Sequence, residues 1–150
     1  MTTDWNENSQ EPIGRILKRI SLLSQSFLQS NLTNIDIKHS FYPLVLIEME
    51  NGMTQQELAR KLSCDKVQVV RIINYLSSNG YVNRIQNQLD KRKYKLQVTD
   101  KALKIIPEIK NAFQKTVDLN LKGLTQNQIA ELYKTLSIIE SNLISQKKIN

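Results

Sequence analysis

The sequence has few of the residues that build catalytic and metal sites. It contains one cysteine, Cys64, and one histidine, His39, in 150 residues. A single cysteine excludes an intrachain disulfide, and one cysteine with one histidine cannot complete a structural zinc site from soft ligands. The sequence also lacks a glycine-rich phosphate loop and a nucleophile motif. We therefore expect neither an enzyme nor a bound metal or cofactor.

Long apolar runs are missing as well. No window approaches the roughly 20 apolar residues that a membrane-spanning helix needs, so we expect no membrane partner. Residues 1–12 do not have the basic and then apolar order of a secretory signal, and we expect them to form a flexible tail. The remaining composition, 40% hydrophobic and 23% charged, is that of an ordinary folded domain. These features predict one cytoplasmic domain over residues 13–150.

Positive charge is present in excess and is concentrated in one segment. The net charge is +7. Residues 53–99 hold nine basic and three acidic side chains, whereas the rest of the chain holds twelve basic and eleven acidic ones. A basic surface favours polyanionic partners such as nucleic acid, but a solvated basic face explains the charge alone equally well. The pattern of helices and strands in this segment decides between the two explanations.

The basic segment begins with the pattern of two short helices joined by a tight turn. Thr54 and Glu57 have the spacing of a capping box, which predicts a helix over residues 55–62. Asp65 is an N-cap candidate for a second helix over residues 66–79, which ends at an Asn-Gly stop signal.

Two extended runs, residues 81–87 and 93–99, follow the helix pair. In the second run Tyr94, Leu96 and Val98 alternate with polar residues, so we expect these three side chains to pack inward. A short basic connection separates the runs. The pattern predicts a β-hairpin that projects from a helix-turn-helix as a wing.

Amphipathic helices flank this central module. Apolar residues at spacings of three and four predict a helix over residues 13–31. A second helical stretch runs from Ile37 to Met49, and Pro43 either kinks this helix or marks its first turn. After the hairpin the pattern predicts two long helices within residues 100–148, the first containing Pro107 and ending at Gly123. Their apolar stripes are larger than the central module can cover, so we expect a second subunit to cover them.

This order of elements resembles that of the MarR family of bacterial transcription regulators. The segments TQQELARKL and DKVQVVRIINYLSSNGYV, the LDKR sequence in the hairpin and the two long C-terminal helices carry the resemblance, which covers nearly the whole chain. It implies a single MarR-like domain over residues 13–150, mainly α-helical with a small β-hairpin wing. Residues 53–99 would form the winged helix-turn-helix, and residues 13–31 and 100–148 the dimerisation helices.

The resemblance also implies a function. We expect a homodimer that binds a pseudo-palindromic operator in double-stranded DNA and regulates transcription as a repressor, with a small-molecule effector as a further candidate partner. The alternative is a winged-helix adaptor that binds proteins without binding DNA, because one fold can serve several functions. The charge concentrated in the central module argues against the adaptor.

The second helix of the central pair offers the residues that would read DNA. Its apolar face is committed to the core, so its outer face enters the major groove. Gln68 can pair with adenine, and Lys66 or Arg71 with guanine or phosphate. The predicted DNA-binding residues are Thr54, Gln55, Gln56, Lys66, Val67, Gln68, Val70, Arg71, Asn74, Asp90, Lys91, Arg92 and Lys93.

Some of these residues have a second interpretation. Val67 and Val70 can reach thymine methyl groups or pack locally. Thr54 and the two glutamines after it can donate to phosphate or cap their helix. In the family an arginine at the position of Arg92 enters the minor groove and an aspartate at the position of Asp90 holds it in place, so the resemblance implies the same roles here.

Two further features have a structural and a functional explanation. Cys64 lies beside a helix N-terminus and is either a packed thiol or a redox sensor, and packing is favoured because redox-sensing relatives carry their cysteine near the first helix. His39, Phe41 and Tyr42 lie near the position of the family's small-molecule pocket and are candidate effector contacts. For His39 the alternative is a structural role.

Overall fold

The computed structural model describes residues 11–37, 40–86, 88 and 94–147, and these form six helices and one two-stranded hairpin. The elements in chain order are α1 (Ile13–Ser30), α2 (Phe41–Met49), α3 (Gln55–Lys61), α4 (Lys66–Ser78), β1 (Val82–Gln86), β2 (Tyr94–Val98), α5 (Asp100–Asn120) and α6 (Gln126–Lys147). The predicted class, mainly helical with a small hairpin, is confirmed. The chain forms two compact units, the first ending at Lys115 and the second beginning at Thr116. The predicted tail lies outside the described residues except for its last two.

Side-chain caps define both helices of the central pair. Thr54 Oγ1 accepts a hydrogen bond from the Glu57 N–H at 3.3 Å, and Glu57 Oε2 accepts one from the Thr54 N–H at 2.7 Å, so the predicted capping box is present. The backbone bond from Thr54 stabilises the carboxylate and lowers the pKa of Glu57. Asp65 Oδ1 accepts from the Gln68 N–H at 2.8 Å, which confirms the predicted N-cap of α4. Ser63 closes the turn between the helices with a left-handed backbone, φ 49°.

The hairpin is antiparallel and is fastened to the segment before α3. Val82 lies opposite Val98, and Gln86 lies opposite Tyr94. The N–H of Leu96 donates to the carbonyl of Met53 at 2.7 Å, and a β-bridge joins the neighbouring pair of residues, Thr54 and Lys95. This attachment buries Leu96 at the base of the hairpin.

The prediction that Tyr94 packs inward is wrong. Tyr94 lies on the same side of the hairpin as Leu96, yet 45% of its surface is exposed. The reason is its position, because β2 is fastened to the chain before α3 only at Lys95 and Leu96, and Tyr94 is one step closer to the tip. Val98, at the other end of the strand, is half-buried and packs against the core as predicted.

The core of the first unit surrounds α2, a helix that is apolar on nearly every side. Leu44 and Ile47 are fully buried, together with Leu58 of α3 and Ile73 of α4. The helix begins at Phe41, so the apolar stretch that starts at Ile37 is longer than the helix. Pro43 explains the difference, because a proline is tolerated in the first turn of a helix but would remove a hydrogen bond from its interior.

Two ion pairs involve acidic residues at the C-terminal end of α2. Glu48 Oε2 lies 2.7 Å from Lys110 Nζ of α5, and Glu50 Oε1 lies 2.5 Å from Lys61 Nζ of α3. Both pairs are partly exposed, so each contributes about 0–1 kcal/mol to stability. They link α2 to its two neighbours but do not replace the apolar contacts that hold the helix.

The long flanking helices leave much of their apolar surface uncovered. On α1 only Leu28 is buried, and Leu23 on the predicted stripe is 66% exposed. In the second unit Leu143 of α6 is also 66% exposed. On α5 the buried face consists of Ala102, Ile106, Ile109 and Ala112. Thr116 is also buried on this helix, whereas the apolar Leu103 and Val117 are 48% and 40% exposed.

Candidate nucleic-acid interface

Helix α4 has one face in the core and one face in solvent. Val69, Ile73 and Leu76 are buried and hold the helix against the first unit. Apart from Ser78, the exposed residues of the helix are Lys66, Val67, Gln68, Arg71 and Asn74, most of which are polar or basic. These are five of the six residues on this helix that were predicted to contact DNA. The sixth, Val70, is half-buried.

The two valines of α4 differ in how far their side chains are exposed. Val67 is 58% exposed and lies in the first turn, beside Gln68. Val70 is half-buried, so local packing accounts for part of its surface. An exposed valine in the first turn of a helix has no core contact to explain it, whereas a thymine methyl group would bury it.

The first turn of α4 is fixed by its cap. The Asp65 carboxylate holds the backbone N–H of Gln68, and no other acidic residue lies in that turn. Lys66, Gln68 and Arg71 are all exposed, so the N-terminal half of α4 presents two positive charges and an amide to solvent. This arrangement can donate hydrogen bonds to phosphate and can both donate to and accept from the edge of a base.

A cleft of about 430 Å³ lies between the start of α3 and the outer part of the hairpin. Its lining brings together Thr54, Gln55 and Gln56, which the sequence predicted, and Arg84 and Tyr94, which it missed. Thr54 is already engaged, because its hydroxyl donates to Glu57 Oε2 at 2.8 Å and its N–H donates to the same oxygen.

The other residues that line this cleft are Glu57, Arg60 and Leu96. The positive charge of Arg60 is one of the smaller causes that lower the pKa of Glu57.

Arg84 is the basic residue whose place the sequence reasoning did not recognise. Its guanidinium Nη2 donates a hydrogen bond to Oδ1 of Asn74, so a residue of β1 contacts a residue of the exposed face of α4. A signal for this was available in the alternation of the first strand. Val82 pairs with Val98 and Arg84 pairs with Leu96, so these four side chains lie on one side of the hairpin. A charged residue therefore occupies a position on the same side as the buried Val82 and Leu96.

The candidate residues outside α3 and α4 differ in where the structure places them. The wing residues Asp90, Lys91, Arg92 and Lys93 and the candidate effector contact His39 lie outside the described residues. Phe41 is buried in the core. Tyr42 is 50% exposed and meets the ring of Phe113 edge to face, with the ring centroids 6.0 Å apart. Cys64 is half-buried and packs against the core.

The described residues lack two kinds of feature. None of their helices combines the length and the apolar character needed to cross a membrane. In the same ranges no three His, Cys, Asp or Glu side chains lie together in a way that could hold a metal ion.

Comparison with known proteins gives consistent matches. Residues 40–94 match the sequence model of the MarR family. The chain is 29% identical over 100 residues to the HTH-type transcriptional regulator BilQ of Clostridioides difficile (strain CD3), a match that covers 67% of this chain and 68% of that protein.

Two solved structures are similar over most of the chain. A MarR family transcriptional regulator from Listeria monocytogenes complexed with a 26mer DNA has a TM-score of 0.84 at 25% identity, covering 91% of this chain and 92% of that one. The transcriptional regulator SlyA has a TM-score of 0.84 at 20% identity, covering 91% of this chain and 96% of that one. The family match includes α2, α3, α4 and β1, and the last three of these carry residues of the candidate interface.

Proposed function

We propose that the chain, which matches the MarR family model over residues 40–94, is a transcription regulator of that family that binds double-stranded DNA through the exposed face of α4 and regulates transcription at the bound site. The observation that carries the proposal is the division of α4 into a buried apolar face and an exposed face with Lys66, Gln68 and Arg71. The similarity to a relative whose structure contains a 26mer DNA supports it. The protein acts as a cytoplasmic repressor and catalyses no reaction.

The groove and the helix fit in size and chemistry. The major groove of DNA is about 12 Å wide and admits one α-helix. In helix-turn-helix proteins the N-terminal residues of the recognition helix reach the base edges, and in α4 these are Lys66, Val67 and Gln68. Gln68 offers a donor and an acceptor to adenine, and Val67 meets a thymine methyl group. Arg71 lies one turn further along the helix and contacts either guanine or a phosphate.

The wing and the start of α3 supply the flanking contacts. Arg92 enters the minor groove and Asp90 holds its side chain, a role that rests on the family resemblance. Lys91 and Lys93 contact phosphates on either side. Gln55 and Gln56 lie at the mouth of the cleft beside the hairpin and donate to the backbone of the same half-site.

The uncovered apolar surfaces support a homodimer. We propose that residues 13–150 form one domain, with residues 13–31 and 100–148 packing against the same helices of a second subunit. The exposed stripes of α1 and α6, which include Leu23 and Leu143, would then be buried. A two-fold protein favours a pseudo-palindromic operator with half-site centres about 10 base pairs apart. A small-molecule effector would bind near His39, Phe41 and Tyr42 and release the DNA.

The dimer is tested by one substitution and its matched control. Leu23→Asp places a charge on the exposed stripe of α1 and should shift the protein towards monomer, whereas Gln25→Asp places the same charge on the polar side of the same helix and should not. Light scattering at micromolar concentration measures the result. A wild-type monomer, or equal behaviour of the two variants, contradicts the proposed subunit contact.

DNA binding is tested with random-sequence duplexes at two salt concentrations. A regulator should bind them weakly and lose affinity steeply between about 50 mM and about 200 mM salt, because each phosphate contact releases counterions. Arg71→Ala should weaken binding, whereas Lys134→Ala removes an equal charge from α6 and should leave binding unchanged. A protein-binding adaptor should show neither weak binding nor salt dependence, and that outcome rejects the proposal.

A further inference from the structure

We infer that Arg84 and Asn74 act as one unit that contacts a DNA phosphate where α4 meets β1. Arg84 holds the Asn74 amide with its oxygen turned towards the hairpin, so that the pair presents only N–H donors to the DNA. Asn74 thereby contacts the DNA backbone and sets the register of α4 on the DNA. Arg84 positions the Asn74 amide and is itself a second hydrogen-bond donor to the phosphate. The inference rests on the proposed DNA-binding function and adds a residue from the hairpin to it.

The orientation of the amide follows from the chemistry of its partner. Arg84 Nη2 donates to Asn74 Oδ1. A guanidinium has five donors and no acceptor, so the amide atom that faces it has to be the oxygen. An exposed asparagine can otherwise turn either end of its amide outward. Here the contact leaves the Nδ2 group, with its two N–H donors, for another partner.

A side chain with this orientation suits phosphate better than a base. Pairing with adenine requires an asparagine that accepts with Oδ1 and donates with Nδ2 to the same base. In this protein Oδ1 already accepts from Arg84, and the guanidinium adds further donors and a positive charge. Phosphate oxygens only accept hydrogen bonds and are negative, so they complement both groups.

The place of Asn74 along α4 leads to the same assignment. The recognition helix of a helix-turn-helix reaches the bases with its N-terminal residues, and Asn74 lies more than two turns after the Asp65 cap. Residues that far along the helix are nearer to the sugar-phosphate backbone. The hairpin residue that joins Asn74 there, Arg84, lies opposite the buried Leu96, so the strand pairing holds its backbone in place.

The surroundings leave the pair available to an anion. A shallow cleft beside it is lined by Tyr75, Ser77 and Ser78 in addition to Asn74 and Arg84, and none of these five residues is acidic. Ser78 directs its hydroxyl at the carbonyl of Asn74, 2.7 Å away, and so donates within the helix. Arg84 also lines the cleft beside α3, and the acidic residue in the lining of that cleft is Glu57. The Glu57 carboxylate already accepts hydrogen bonds from Thr54.

The decisive variant is Asn74→Asp. A carboxylate keeps an oxygen for Arg84 and strengthens that contact, so folding should be retained, but its second oxygen replaces the Nδ2 donors. Binding to random-sequence duplexes and to a duplex selected by the wild type should fall, on the order of tenfold or more and further than for Asn74→Ala. Urea denaturation measures whether the variant is folded. The charge control is Lys134→Ala on α6.

Arg84→Ala tests the other half of the unit. It should lower affinity for the selected and the random duplexes by the same factor and reduce the salt slope by about one, as expected for a phosphate contact without base readout. The double variant Arg84→Ala with Asn74→Ala should lose less than the two single losses combined, because each residue depends on the other.

The outcomes separate this inference from the proposed function. Wild-type binding together with an Asn74→Asp protein that binds DNA equally well or better overturns the inference and leaves the proposed function standing. An Arg84→Ala protein that discriminates between sequences differently from the wild type also overturns it, because Arg84 or Asn74 would then read bases. A folded wild type that binds no duplex at low salt overturns both.

Discussion

Asp65→Ala should destabilise the protein through one backbone hydrogen bond. The Asp65 carboxylate accepts from the Gln68 N–H at 2.8 Å at the start of α4. Removing an N-cap side chain costs about 1 kcal/mol, within a range of about 0.5–2 kcal/mol. The lost charge at the positive end of the helix adds about 0.3 kcal/mol, the low end of the range that applies to exposed sites. We therefore expect a loss of about 1.3 kcal/mol.

Urea denaturation measures this loss. With a denaturant dependence of about 1–3 kcal/mol per molar, the midpoint should fall by about 0.4–1.3 M. The protein concentration has to be the same for each variant, because the stability of a dimer depends on it. Asp65→Asn is the matched control, since asparagine caps a helix as well as aspartate does and should keep most of the stability.

The same pair of variants separates the cap from the charge in DNA binding. Asp65→Asn removes a negative charge next to Lys66 and keeps the first turn of α4 closed, so it should bind random-sequence duplexes more tightly than the wild type. Asp65→Ala removes the same charge but frees the backbone at Gln68, so it should bind less tightly than Asp65→Asn. A wild-type urea midpoint for Asp65→Ala would refute the reasoning about the cap.

Three other predictions concern the wing, the thiol and the capping box. Arg92→Ala should weaken operator binding by about 1–3 kcal/mol. Asp90→Ala should weaken it as well, because the carboxylate positions the arginine. Operator titrations that show unchanged or tighter binding for Asp90→Ala reject this wing mechanism. Cys64→Ser should leave DNA affinity and its response to peroxide unchanged, because the thiol packs against the core. If peroxide abolishes DNA binding by the wild type but not by the variant, Cys64 has a redox role. The pKa of Glu57 is lowered, chiefly by the backbone N–H of Thr54, so its contribution to stability is present above the usual carboxyl range and lost as the pH falls through the lowered pKa. The wild type should therefore be more stable than Glu57→Gln near pH 7 and lose this advantage below about pH 4; an advantage that does not change with pH, measured by urea midpoints, contradicts the assignment.

The features that sequence reasoning predicted correctly depend on neighbours within one turn. A capping box joins residues three positions apart, as Thr54 and Glu57 are, and the N-cap contact of Asp65 has the same range. Such contacts are specified by residue type and spacing alone. The starts of α3 and α4 follow from them, and the apolar spacing of Val69, Ile73 and Leu76 gives the buried face of α4.

The features that sequence reasoning missed depend on residues far apart in the chain. The exposure of Tyr94 is decided by where β2 is fastened to the segment before α3, which alternation along the strand cannot show. The contact of Arg84 with Asn74 requires the hairpin to turn back onto α4. Periodicity likewise found the apolar stripe of α1 around Leu23, but a pattern within one helix cannot show what covers that stripe.

In mechanical terms, the attachment of β2 makes the hairpin a beam clamped at one end. The clamp is the pair of backbone contacts from Gly52 and Met53 to Leu96, together with the bridge between Thr54 and Lys95. The clamped part of the hairpin is therefore held to the start of α3. A change at Met53 should therefore shift the hairpin and the start of α3 together.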